Sequence, residues 1–442
     1  MNSHDLRKDA SDIFQHAISA VNPYTVVKKS FMLSGRGLII KDGEYNMEDF
    51  NRIIVIGAGK AAAPMARAVE DMLSDRITSG LVITKYGHAE QLNRIMVREA
   101  GHPLPDEAGL AASEELIDLV SDLDRETLVI MLLSGGGSAL LCSPSNGLTL
   151  QDKIETTRLL LNAGADIHDL NAVRKHISRV KGGGLAAMAY PACIITLILS
   201  DVIGNQLDVI ASGPTAPDET TYQDAISVIE RYSLCDLIPK SVIGRLEKGA
   251  KGGLAETPKN GDVRLGRVRN IIIGDIRQAL GAAEARAAAL GYRTLVLTSL
   301  LTGEARETAR LFPAIAREII DTSRPIGSPA CILSGGETTV TVRGDGMGGR
   351  NQEMALSAAI RLNGIHSALF LSAGTDGTDG PTDAAGAFAD GSTVERARRL
   401  GMNPYEYLDT NDSYNLFKRI GDLFITGPTK TNVMDIQILL VN

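Results

Sequence analysis

The chain has 442 residues, more than one hydrophobic core usually serves, so two or three domains are expected. It is 44% hydrophobic and 22% charged, as globular chains are, and its net charge of −8 argues against a general nucleic-acid-binding surface while leaving room for a local basic pocket. The 45 glycines, the absence of Trp and the low aromatic content favour an α/β architecture with many tight strand-to-helix turns. Cys142, Cys193, Cys235 and Cys331 are scattered without CxxC spacing, which argues against a zinc site or a disulfide framework. The polar start MNSHDLRKDASD lacks a signal-peptide core and the apolar runs are too short to span a bilayer, so a cytoplasmic protein with no membrane partner is expected.

Apolar spacing predicts a helix over 5–21, stopped by Asn22-Pro23. A strand over 52–56 then runs into Gly57-Ala58-Gly59-Lys60-Ala61-Ala62 and an Ala-rich helix to about 73. This spelling fits the loose G-x-G-x-x-A dinucleotide fingerprint. The next strand, 81–84, ends in Lys85-Tyr86-Gly87-His88, with no acid for a ribose, and Lys60 stands where it can meet a phosphate or carboxylate directly. A third strand over 95–97 precedes His102, which is either a ligand contact or a turn residue held extended by Pro103. A helix is expected over 107–120.

The continuous apolar run 128–133 is a buried parallel strand by its pattern. It delivers Ser134, Gly135, Gly136, Gly137 and Ser138, an anion-binding nest at a strand's carboxyl end or simply a tight helix start. After a helix over 151–164, the segment 171–184 carries Arg174, Lys175, Arg179 and Lys181, facing either an anion or solvent. The strand 192–199 delivers Asp201, a carboxylate placed to accept a proton, hold a metal or cap a helix. The Gly/Lys/Pro-rich stretch 248–262 reads as a linker. The second half then begins with a strand over 270–273, followed by a helix over 277–290 and strands over 294–298 and 330–333.

Residues 334–353, SGGETTVTVRGDGMGGRNQE, read as a Gly-rich turn holding Gly336 and Glu337, a β-branched strand over 338–342, a Gly-rich loop over 343–350 that ends in Arg350, and a helix opened by Asn351, Gln352 and Glu353. Glycine backbone, a helix N-terminus and an arginine together make a phosphate or carboxylate site; a hairpin followed by an ordinary helix is the alternative. Further on, a strand over 367–371 feeds a loop with Asp376, Asp379 and Asp383, which is either a metal or polar-substrate loop or a solvated acidic turn. Strands over 424–427 and 436–441 close the chain.

Walker A is absent, as are the protein-kinase motifs and a Gly-x-Ser-x-Gly elbow. Phosphoryl transfer, which needs positioning and charge more than covalent chemistry, suits the parts present. Taken together, GAGKAA (57–62), TKYGH (84–88), EAGHPLPD (99–106), LLSGGGSALL (132–141), NAVRKHISRVKGG (171–183), LSDVIGN (199–205), SGPT (212–215), the 333–353 stretch, SAGTDGTDGPTDAAGA (372–387) and GPTKTNV (427–433) resemble the class II glycerate kinases. The resemblance covers nearly the whole chain. It implies an N-terminal Rossmann-like parallel-sheet domain (1–255), a smaller C-terminal α/β domain of the MOFRL type (256–442) and a cleft between them. It further implies ATP and Mg²⁺ acting on D-glycerate, usually giving 2-phosphoglycerate; the sequence leaves the oligomeric state open, a homodimer included. Lys60 and Arg350 match the family's active-site lysine and arginine, and Asp201 is the candidate base or Mg²⁺-positioning carboxylate. Gly57, Gly59, His102, the 134–138 nest, Lys181, Gly336, Glu337, Asn351 and Glu353 are expected to contact substrate or nucleotide, and Asp376, Asp379 and Asp383 to be the secondary metal candidates. Lys430 departs from the family's glycine in GPTGTNV. Some members are labelled hydroxypyruvate reductase, so NAD(P)H-dependent reduction and non-catalytic metabolite binding stay open as alternatives.

Overall fold

Seven consecutive buried residues, Thr127–Leu133, form the middle of a six-stranded sheet. Such a strand has no polar face to offer water, so helices must cover both sides. In a computed structural model, which describes residues 5–35, 37–41 and 43–442, the chain divides into two compact units, 23–273 and 274–442 together with the N-terminal helix.

The first unit holds strands β1 (Arg52–Ala58), β2 (Ser79–Lys85), β3 (Met96–Ala100), β4 (Thr127–Leu133), β5 (Cys193–Leu199) and β6 (Val268–Gly274), in the order β3-β2-β1-β4-β5-β6. The pairs β2–β3, β1–β2, β1–β4 and β4–β5 are parallel. This is the doubly wound order, and its direction reverses between β1 and β4, where such sheets open a crevice for ligands. The helices Ala62–Leu73 and Glu107–Val120 lie where the apolar periodicity predicts them. Three short strands, Phe31–Ser34, Gly37–Ile40 and Gly43–Asn46, form a separate antiparallel sheet in a stretch that shows no strand alternation.

The second unit holds β7 (Arg293–Leu301), β8 (Ala330–Gly336), β9 (Ala368–Gly374), β10 (Gly386–Asp390), β11 (Leu423–Phe424) and β12 (Asp435–Val441), ordered β7-β8-β12-β9-β10-β11. Only β7–β8 is parallel; β12 runs antiparallel between β8 and β9. The N-terminal helix Leu6–Ala20 belongs here. Phe14 meets Phe424 edge-on at 5.1 Å between centroids, and Arg7 donates to Asp422 at 2.7 Å and to Asp390 at 2.6 Å.

The expected boundary at 255/256 coincides with neither break. The strand expected to open the second half is β6, the last strand of the first sheet. The expected linker is packed against the first unit. Glu256 accepts from the Tyr222 backbone at 3.0 Å, and the Thr257 hydroxyl donates to Asp218 at 2.9 Å. The expected strand over 338–342 does not form, apart from one parallel bridge between Thr339 and Glu304, and Val342 is 75% exposed. No helix among the described residues is long and apolar enough to cross a membrane.

Candidate functional site

The turns after β1 and β4 interlock at the carboxyl edge of the first sheet. Lys60 N donates to Gly135 O at 2.8 Å, and Ala61 N donates to the buried Ser134 hydroxyl at 3.0 Å. Gly59 has φ +140°, and a Cβ there would overlap Ser134. A Cβ at Gly57 would come 2.6 Å from Leu132 O. These glycines are required by close backbone approach. Gly136, at φ +85°, leaves room for two neighbours: a Cβ would stand 2.9 Å from His102 Nε2 and 3.4 Å from Lys60 Cγ. Lys60, His102 and the triple-glycine turn therefore converge beside the β1/β4 switch point. Gly137 N closes the turn onto Ser134 O at 3.3 Å, whereas Gly135 and Gly136 N–H have no acceptor among the described residues. Asp201 follows β5 at the same edge and is half-buried.

Behind this edge, Ser138 Oγ lies 2.9 Å from Ser212 Oγ, which donates to Asn171 Oδ1 at 2.9 Å. Lys181 Nζ donates to Ser138 O at 2.8 Å. Burial, then neighbouring Lys153 and Arg174, hold its pKa well below the ordinary lysine value. The other basic residues of 171–181 have carboxylate partners or none. Lys175 pairs with Asp208 at 3.0 Å and Asp218 at 3.2 Å, and Arg179 pairs with Glu114 at 2.6 Å. Arg174 has no carboxylate partner among the described residues, and burial brings its pKa down to about 10.

In the second unit the glycine loop before Arg350 spends four of its backbone donors internally. Arg343 N and Gly344 N donate to Asn411 Oδ1, Gly346 N to Thr410 O, and Met347 N to Asp412 Oδ1. The N-terminus of helix Arg350–Leu362 already holds an anion, because the Asp379 carboxylate accepts from Asn351 N at 3.0 Å and Gln352 N at 2.8 Å. A Cβ at Gly349 would collide with Asp379, so this glycine admits an internal carboxylate. Arg350 donates from Nε and Nη2 to Asp435, at 2.6 and 3.0 Å, and from Nη1 to Glu337 at 2.6 Å. Burial opposes its charge, but Asp435 and Glu337 outweigh burial and raise its pKa above the ordinary arginine value.

Profiles of two families match: "Domain of unknown function (DUF4147)" over 9–247 and the MOFRL family over 330–435. The D-glycerate 2-kinase of Thermotoga maritima is 43% identical over 99% of this chain and 98% of its own. The chain belongs to the glycerate 2-kinase family. The crystal structure of the Thermotoga maritima glycerate kinase superposes with a TM-score of 0.87 at 42% identity, covering 99% of both chains. A putative hydroxypyruvate reductase of Agrobacterium vitis is 43% identical over all of this chain and 95% of its own.

Among the residues expected to serve a glycerate 2-kinase site, the structure brings Lys60, His102, Gly57, Gly59 and the 134–138 turn together. It gives several others interior work. Glu353 pairs with Arg306 at 2.8 Å and accepts from Asn411 at 2.8 Å; Asn351 accepts from Ser372 at 2.6 Å. Gly336, at φ +155°, makes room for Leu301. The metal candidates are not gathered. Asp376 closes a turn onto Thr378, Asp379 caps the helix and Asp383 accepts from Tyr414 at 2.7 Å. Among the described residues no group of three His, Cys, Asp or Glu could hold a metal ion. Asp435 was missed. Its only signal is a lone acid heading the apolar run DIQILLV.

Proposed function

We propose that this chain phosphorylates D-glycerate with ATP, at the 2-hydroxyl. The observation that carries the reading is the convergence of Lys60, His102 and the Gly135–Gly136 donors beside the β1/β4 switch point. Phosphoryl transfer is accelerated mainly by fixed donors aimed at the phosphoryl oxygens, worth about 10²–10³-fold each. Lys60 and the two glycine N–H groups supply such donors, and Asp201 is the proposed proton acceptor for the glycerate hydroxyl. Arg350 is proposed as an anion contact through the Nη hydrogens left over by its carboxylate pairs, since a guanidinium has five N–H groups. The names of the relatives, D-glycerate 2-kinase and glycerate 2-kinase, support the same reading.

The described residues do not fit a resident Mg²⁺ site of three or more side chains. Mg²⁺ in such reactions keeps its waters and is held largely by substrate phosphates, so it enters here as part of the substrate Mg-ATP and no step is routed through it. The reductase reading draws on the Agrobacterium relative, but β2 ends in Lys85 where a dinucleotide site needs a ribose-binding acid.

The test is ADP release from Mg-ATP and D-glycerate, with the product identified by NMR. Phosphate at the 2-oxygen supports the proposal. Phosphate at the 3-oxygen overturns the regiochemistry, and NADH oxidation with hydroxypyruvate in place of ADP release overturns the whole reading.

A further inference from the structure

Lys153 is 5% exposed, and its ammonium has no hydrogen-bond partner. It lies on the helix Leu150–Asn162, an unusual place for a charge with nothing to hold. Its surroundings deepen the anomaly. Burial disfavours its charged form, the Cys142 sulfur favours it, and Arg174 repels it. Lys181, 2% exposed, feels both Lys153 and Arg174 and rests only on the carbonyls of Ser138, Leu141 and Ala211. No carboxylate pairs with Lys153, Arg174 or Lys181 among the described residues. The carboxamide of Asn171, also 2% exposed, accepts from Ser212 with its oxygen and leaves its Nδ2 without a partner.

A buried unpaired cation is among the costliest features a fold can carry, because desolvation is not offset by any opposite charge. Here three basic side chains, two of them buried lysines, and an unused amide donor share one neighbourhood, and ordinary packing would be better served by apolar side chains. We propose that Lys153, Arg174, Lys181 and Asn171 Nδ2 form a binding site for a small oxyanion, a carboxylate or phosphate group, whose charge completes the cluster. The cations supply the attraction, and Asn171, tied through Ser212 to Ser138, relates the site to the turn after β4. The site does not depend on the kinase reading, since the orphaned Lys153 nitrogen and Asn171 Nδ2 lack an acceptor whatever reaction the chain catalyses. Under that reading, the two sources of such a group are the glycerate carboxylate and a nucleotide phosphate.

The test is binding to the full chain of inorganic phosphate, D-glycerate and ATP, each alone, by calorimetry and by thermal shift. Wild type is expected to bind phosphate. It is also expected to bind glycerate or ATP, and the one that competes with phosphate names the source. Lys153→Met is expected to weaken phosphate binding at least tenfold while leaving Tm in anion-free buffer unchanged or raised, because it removes a charge and no hydrogen bond. Arg174→Gln, at a partly exposed position, is expected to weaken phosphate binding in the same way and guards against a misfolded Lys153 variant. A lowered Tm for Lys153→Met without anion would make Lys153 a structural group and overturn the proposal. Phosphate affinity unchanged in both variants, or binding that appears only in Cys142→Ala, would overturn it as well.

Discussion

Arg350 grips Asp435 in a two-point fork, Nε to Oδ2 at 2.6 Å and Nη2 to Oδ1 at 3.0 Å, with Asp435 only 1% exposed. This pair joins the first residue of helix Arg350–Leu362 to the first residue of β12, the strand that closes the second sheet between β8 and β9. A planar fork meets a carboxylate in a way that a lysine ammonium does not. Arg350→Lys should therefore lower unfolding stability by about 1–3 kcal/mol, less than for a fully buried pair because the Arg350 side chain is 33% exposed. Combining it with Asp435→Asn should recover part of the loss, since the stranded charge is then gone. Urea unfolding of the single and double variants checks this. Full additivity would remove Asp435 as the partner that matters.

Asp379 sits within the same set of charges, and burial raises its pKa to about 6 against the pull of two helix N–H groups and Arg350. The sign follows from linkage. Between about pH 4 and 6 the folded chain holds a proton that the unfolded chain has lost, so this group's contribution to stability falls as pH rises through that window. A carboxyl raised from its ordinary value to about 6 is worth about 3 kcal/mol at most. The difference in unfolding free energy between wild type and Asp379→Asn should shrink from pH 4 to pH 7, and ¹³C carboxyl shifts should show a midpoint near 6. A midpoint below 4 would contradict the assignment.

The loops of the first unit were legible because each follows a continuous apolar strand whose end is fixed by pattern alone. Gly57, Gly59 and the 134–138 turn fall where strand, glycine and helix succeed one another. The glycine loop over 343–349 looked equally suited to an anion, yet the donors of Arg343, Gly344, Gly346 and Met347 are spent on Thr410, Asn411 and Asp412, over sixty residues away in sequence. Its helix N-terminus is filled by Asp379. Local sequence announces donors and is silent about which distant acceptor takes them. The alternating TTVTV run likewise reads as a strand, but it finds no partner strand beyond one bridge, and pairing decides what propensity only suggests. Strand β10, GAFAD, went unseen for the opposite reason: its small residues carry little strand preference and are held by neighbours on both sides.

The N-terminal helix belongs to the unit made by the far end of the chain, which follows from Phe14 and Arg7. Phe14 is fully buried against Phe424. Phe14→Ala should cost about 3–5 kcal/mol, the range for emptying an aromatic site in a core. The loss should be local: limited proteolysis ought to find new cuts within 274–442 while 23–273 keeps its wild-type pattern. Arg7→Ala should act in the same direction, since Asp390, held down to about 2 against burial by Arg7, Ser392 and Arg396, would lose one of its partners. New cuts confined to 23–273 would contradict the membership of this helix.

Gly136→Ala tests the convergence at the switch point with a single methyl group. At φ +85° the alanine is strained wherever its side chain points, by about 1–3 kcal/mol. Its Cβ would also stand 2.8 Å from His102 Cδ2, so the imidazole must move, and it would crowd Lys60 Cγ at 3.4 Å. Misplacing a donor by such a distance costs about 10²-fold in rate for a positioned phosphoryl transfer. Gly147 gives the control: it has a comparable φ of +87° but nothing within 4 Å of a Cβ, so Gly147→Ala carries the backbone strain without touching the site. The expected result is similar thermal destabilisation in both variants, with the large fall in D-glycerate turnover in Gly136→Ala alone. Equal turnover in the two would separate His102 and Lys60 from the chemistry and return the triple glycine to a purely structural turn.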